Sequence, residues 1–203
     1  MTTPPKSTVT EHPAATCGPG RPREFDETTA LARALDVFWR QGFEATSLDD
    51  LTAAMGISRS SFYGCFGSKQ GALLRAIQHY SDQSYARLSA IAESEPNARK
   101  AVFKMLHQMA NAHGGPEGCF FVNCMTELAP HDAKVIAHGR QHLDRLEDLF
   151  ARNILHSVPG KTKAASKARA LVSLALGATM LRKAGVAPAR IEGMLAEAES
   201  LMP

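Results

Sequence analysis

Between Ser47 and Leu74 the chain reads SLDDLTAAMGISRSSFYGCFGSKQGALL, and its punctuation leaves few folds open. Serines suited to start helices alternate with glycines suited to stop them. Ser47, or Thr46 before it, is placed to N-cap a helix, because a short side-chain oxygen can accept one of the backbone N–H groups that a helix start leaves unpaired. Asp49 and Asp50 follow in the first turn, where the helix dipole favours carboxylates. Gly56 ends that helix and permits a sharp turn, with Ile57 as its plug. Ser58 can cap a third helix from Arg59 to about Cys65, which Gly67 and Ser68 close. Ser68 can in turn cap a fourth. The pattern predicts two short helices joined by a tight turn and followed by a longer one.

The flanks extend the helical pattern. Leu31, Ala34, Leu35 and Phe38 recur at the spacing of one helix face, and Gly42 stops that run. The fourth helix is predicted over Lys69 to Ser94, long enough at about 1.5 Å per residue to link two regions of the protein. Further helices are expected over Ala98 to Ala112, Cys119 to Ala129, Asp132 to about His156, Lys163 to Lys183 and Pro188 to about Leu201. No convincing strand pattern appears. The expected fold class is all-α: an N-terminal three-helix unit containing a helix-turn-helix over residues 25–70, then a larger helical bundle over 71–203 for ligand binding and dimerisation. Residues 1–24 are rich in Pro, Thr and Gly and read as a disordered arm ending in GRPR.

Two short helices with a glycine turn suit DNA, because the major groove accepts one helix and the second helix of the pair can enter it. Arg59, Ser60, Ser61, Tyr63 and Gly64 give the third helix a polar outer face, while Phe62 and Phe66 can point inward. Arg59 can present a fork to guanine, and Ser60 and Ser61 can bond bases or phosphates. Tyr63 and Lys69 are better placed for phosphate, as are Thr46 and Ser47 at a helix N-terminus. Arg21 and Arg23 on the arm can enter the adjacent minor groove. Net charge is only +3, and the same region carries Asp26, Glu27, Asp36, Glu44, Asp49 and Asp50. Placement, not bulk charge, points to DNA.

The segment ALARALDVFWRQGFEATSLDDLTAAMGISRSSFYGCFGSKQGALLRAI resembles the N-terminal domain of TetR/AcrR-type transcriptional repressors. The resemblance rests on Phe38, Gly42-Phe43, Thr46-Ser47, Gly56-Ile57-Ser58, Phe62-Tyr63, Phe66, Lys69 and Leu73. It implies a homodimeric regulator that binds a palindromic double-stranded operator and releases it when a small molecule binds. It also implies phosphate contacts by Tyr63, Lys69 and the Thr46/Ser47 cap. Two positions depart from the pattern. Gly64-Cys65 stands where many members carry a bulky or basic pair, and Gln70 stands where an acid often follows the lysine.

The remainder is read from its own residues. Phe103, Leu106, Met109, Phe120, Phe121, Cys124, Met125 and Leu143 supply apolar surface for a ligand pocket, although each also suits ordinary core. Leu171, Leu174, Ala175 and Ala178, with Ile191 and Leu195, form small and apolar stripes that suit a four-helix dimer interface or internal packing. Cys119 begins a helix, which can activate a thiol, so a cysteine-based redox or electrophile sensor is an alternative. His138 and His142 lie four apart, a spacing that serves core or surface more often than metal. No metal site, cofactor or catalytic constellation is expected, and therefore no enzyme. The cysteines form no CxxC pair, and neither a signal-peptide pattern nor a membrane-length apolar run is seen. A cytoplasmic protein, free of the membrane, is the default. A helical small-molecule-binding protein that ignores DNA is the competing class.

Overall fold

The computed structural model describes residues 26–156 and 158–199. Among these, nine α-helices and no strand are found: α1 (Glu27–Gln41), α2 (Leu48–Met55), α3 (Arg59–Phe66), α4 (Lys69–Ser94), α5 (Ala98–Ala110), α6 (Phe120–Leu128), α7 (Ala133–Leu155), α8 (Lys161–Lys183) and α9 (Pro188–Glu199). A single 3-10 turn, Ala129–His131, joins α6 to α7. The arm with Arg21 and Arg23 lies outside the described residues.

The caps explain the N-terminal helices. Asp26 accepts the backbone N–H groups of Thr28 and Thr29. Ser47, not Thr46, caps α2, and with Asp50 it forms a reciprocal capping box. Ser58 accepts from the Ser61 N–H, and Ser68 from that of Gly71. Gly56 adopts a left-handed conformation at φ 68°, which lets its N–H turn back onto the end of α2. Two helix ends differ from the sequence reading. Asn111 stops α5 short of Ala112 by taking a left-handed conformation, and α8 begins at Lys161 directly after Gly160.

Two apolar cores form. The first gathers Leu31, Ala34, Phe38, Leu51, Phe62, Phe66 and Leu73, and also takes in Phe120, Cys124, Leu128 and Val135 from α6 and α7. The three-helix unit is therefore packed directly onto α6. The second core lies among α5, α7, α8 and α9, around Met105, Leu106, Leu146, Phe150, Leu171 and Leu195. Helix α4 touches both: Leu73 and Ile77 belong to the first core, Leu88 to the second. Polar contacts reinforce the junction. The Glu127 carboxylate accepts from the backbone N–H groups of Phe43 and Glu44, and the Gln70 amide donates to Asp132. No described helix is long and apolar enough to cross a membrane.

Candidate nucleic-acid interface and effector cavity

Helix α3 hides its aromatic face and shows a polar one. Phe62 is fully buried and Phe66 nearly so, which fixes the roll of the helix. Arg59, Ser60 and Tyr63 are then outward, with Tyr63 54% exposed and edge-on to Phe62. Ser61 is half-buried, and the Ser58 hydroxyl sits within hydrogen-bond distance of both Ser60 and Ser61. Arg59 is engaged: Nε and Nη2 both donate to Asp49 Oδ1, at 3.1 and 2.6 Å. That bond raises the guanidinium further above its ordinary range. Asp49 of α2 thus aims Arg59 and competes with any base for it. Gly64 has open space where a side chain would stand, and half-buried Cys65 packs against the first core.

Two of the residues expected to contact phosphate are engaged within the protein itself. Thr46 is 1% exposed, and its hydroxyl donates to the Gly42 carbonyl. It shapes the loop before α2, and its side chain is not available to a phosphate. Lys69 Nζ donates to the carbonyls of Phe43 (2.9 Å) and Thr46 (3.0 Å) and lies 4.3 Å from the centre of the Phe43 ring. Two of its three N–H groups are thereby committed to that loop. Ser47 stays exposed at the start of α2, with its hydroxyl on Asp50.

A cavity of about 440 Å³ opens beneath α4. Leu35 and Trp39 of α1, Tyr80 and Arg87 of α4, His142 of α7 and Arg182 of α8 all line it, together with the loop ending at Cys119. The Tyr80 hydroxyl meets the Cys119 sulfur at 3.2 Å. Burial, then the nearby thiol, pushes the phenol up, so it stays protonated. His142 Nδ1 pairs with the Ser81 hydroxyl at 2.8 Å. Burial, helped by Arg145, pulls the imidazole down to about 4, so at neutral pH it is uncharged. Arg182 fastens the loop, donating to the carbonyls of Ala110, Asn111 and Gly118.

Of the pocket residues expected from sequence, Met109 lines this cavity. Leu106, Phe120, Phe121 and Cys124 are buried in packed core, and Phe103 lines a separate surface recess between α5 and Glu199. Met125 and Leu143 are half-buried against the cores without reaching the cavity wall. Burial pushes the Cys124 thiol up to about 12, which leaves it inert. Sequence reasoning missed Trp39, Tyr80, Arg87, His142 and Arg182, each of which reads singly as core or surface. The dimer stripe also needs correcting. Leu171, Ala175, Ala178, Ile191 and Leu195 are at most 1% exposed, because α8 and α9 use them to pack onto this chain's own core. Leu174 is half-buried. The outward face of α8 carries Ser166, Ala170, Ser173, Gly177 and Met180 instead.

Comparison with known proteins settles what this arrangement belongs to. Residues 30–77 match the family model for bacterial regulatory proteins of the tetR family. The chain is 32% identical over 141 residues to YezE of Bacillus subtilis, an uncharacterized HTH-type transcriptional regulator, across 68% of this chain and 73% of that one. This chain belongs to the TetR family. As a TetR-family protein it is a DNA-binding transcriptional regulator and not an enzyme. It is also 33% identical over 120 residues to ComR of Escherichia coli, an HTH-type transcriptional repressor, across 57% of each chain. Among solved structures, a cysteine mutant of the TetR-family regulator CifR, complexed with 26 bp double-strand operator DNA, superposes with a TM-score of 0.77. The sequences are 29% identical, over 90% of this chain and 100% of that one.

Proposed function

We propose that this TetR-family regulator is a repressor that binds a palindromic operator as a homodimer and lets go when a small molecule enters the cavity beneath α4. The observation that carries this reading is the double engagement of α4. Lys69 and Gln70 at its start grip the loop before α2 and the start of α7, while Tyr80 and Arg87 further along form cavity wall. An occupant that moves α4 moves the reader with it, which is a coupling between two sites. CifR bound to its operator and the repressor ComR lend this reading support by likeness.

In this reading residues 25–70 form the DNA-binding unit, and residues 71–203 hold the effector and the partner copy. Arg59, Ser60 and Ser61 face bases, Tyr63 and Ser47 hold phosphates, and Arg21 and Arg23 follow the minor groove. Two readers must sit about 34–36 Å apart to enter successive major grooves. The outward face of α8 suits the dimer contact, since its small residues permit close approach and Met180 is 46% exposed. The protein would work in the cytoplasm, beside its DNA. The test is salt-dependent binding of the chain to its own upstream DNA, followed by anisotropy. Tyr63→Ala should weaken binding roughly tenfold without lowering the melting temperature. Binding indifferent to Tyr63→Ala would count against α3 as the reader.

A second reading has one observation in its favour: Cys119 lies on the cavity wall, where an electrophile or oxidant that enters can meet it. Operator release by oxidant that persists unchanged in Cys119→Ser would sink it.

A further inference from the structure

The cavity wall is rich in donors and positive charge. Arg87 and Arg182 both line it, and among the described residues neither forms an ion pair. The hydrogen bonds that Arg182 makes go to neutral carbonyls, which leave its charge uncompensated. Its Nε is buried and has no partner. Trp39, from α1, likewise keeps a buried Nε1–H without an acceptor. Buried N–H groups are nearly always paired, so these two closed-off donors mark the surroundings of the cavity as short of acceptors. In charge the wall is unbalanced: Glu117 is its sole carboxylate against two guanidiniums. His142 is uncharged there and adds no repulsion or attraction of its own.

One side of the wall is apolar and aromatic, while Gln83, Ser84, Gln108, Asn111 and Thr179 make the remainder polar. Tyr80 meets Trp39 edge-on at 5.6 Å between centroids, and Phe120 closes the cluster behind them. Leu35, Leu88 and Leu146 complete the apolar side. A volume of about 440 Å³ lies within the range that encloses a small organic molecule. Planar guanidiniums match a carboxylate through paired, charge-assisted hydrogen bonds.

We propose that the cavity takes a small organic anion of the aromatic carboxylate class, its carboxylate on the guanidinium side of Arg87 and Arg182 and its ring against Trp39 and Tyr80. This rests on the cavity being the effector site.

Trp39 is the one tryptophan of the chain, so its fluorescence reports on the wall directly. The full chain is titrated with benzoate, phenylacetate and 3-phenylpropionate, and with the matching amides. At least one acid should saturate the Trp39 signal about tenfold more tightly than its amide, and Arg87→Gln should close that gap without weakening the amide. Equal affinity for acid and amide, a signal unmoved by all three acids, or a gap untouched in Arg87→Gln would each overturn the proposal. Anisotropy with upstream DNA, run alongside, separates the two readings. DNA binding with no acid bound removes the anionic class alone. A tightly bound acid that leaves DNA binding unchanged upholds the anion site and removes the effector role.

Discussion

Glu127, in the last turn of α6, holds the reader through its backbone: its carboxylate accepts from the N–H of Phe43 and from the N–H of Glu44, each at 2.9 Å. The opposite end of the same helix starts at Cys119, on the cavity wall. Helix α6, about 13 Å long, therefore runs as one rigid piece from the cavity wall to the loop before α2. Gly42 lies against the same carboxylate: a side-chain carbon there would stand 3.1 Å from Glu127 Oε2. A larger residue would push the carboxylate aside by a few tenths of an ångström and would be strained at the φ of 82° that Gly42 adopts.

Glu127→Ala should release the loop before α2. The two N–H groups would turn to water, at a cost of about 1 kcal/mol. Thermal denaturation should show a lower melting temperature, and anisotropy a weaker grip on operator DNA. Both unchanged would mean that the loop holds its shape unaided.

Lys69 acts as a staple in the free protein, because carbonyls of Phe43 and Thr46 already take two of its N–H groups. Lys69→Met keeps much of its length and loses the charge. We expect reduced melting temperature and weaker DNA binding, with the slope of log affinity against log salt unchanged. A slope smaller by about one would instead show a phosphate contact in the complex.

Asp49 shares its carboxylate with Arg59. Asp49→Asn should free the guanidinium and remove a negative charge from the DNA-facing side. Affinity for any duplex should rise, and the preference for the true operator over scrambled DNA should fall. Arg59→Gln should lower that preference roughly tenfold by losing a fork to guanine. Competition binding with both duplexes measures each case.

His142 links stability to acid. Its folded value of about 4 lies below the unfolded value of about 6.5, so the unfolded chain takes up the proton first. The stability it contributes is complete above about pH 6.5 and is lost as the pH falls towards 4. The full loss is on the order of 3 kcal/mol. Urea denaturation across that window should show the slope, and His142→Asn should flatten it. Arg145 deepens the effect and Asp82 opposes it.

The three-helix unit was legible in sequence because its determinants are local. Ser47, Ser58, Ser68 and Gly56 act within a turn or two of chain, and Phe62 and Phe66 declare the buried face of α3. The cavity was not legible, since Trp39, Tyr80, His142 and Arg182 come from four helices and meet only in the fold. The internal bonds of Lys69 were hidden for a related reason: a lysine reads as a solvated cation until two carbonyls are brought to it. The stripe of Leu171, Ala175 and Ala178 showed that one face of α8 is covered. Periodicity says nothing of what covers it, and here it is the chain's own α5 and α7.

Arg182 fastens the loop from Ala110 to Gly118 from 72, 71 and 64 positions downstream. A chain growing from its N-terminus would complete the DNA reader long before that clasp exists. The cavity therefore closes only once α8 is in place. A chain cut short before α8 would keep the residues of the three-helix unit and lose the cavity's clasp together with the proposed dimer face.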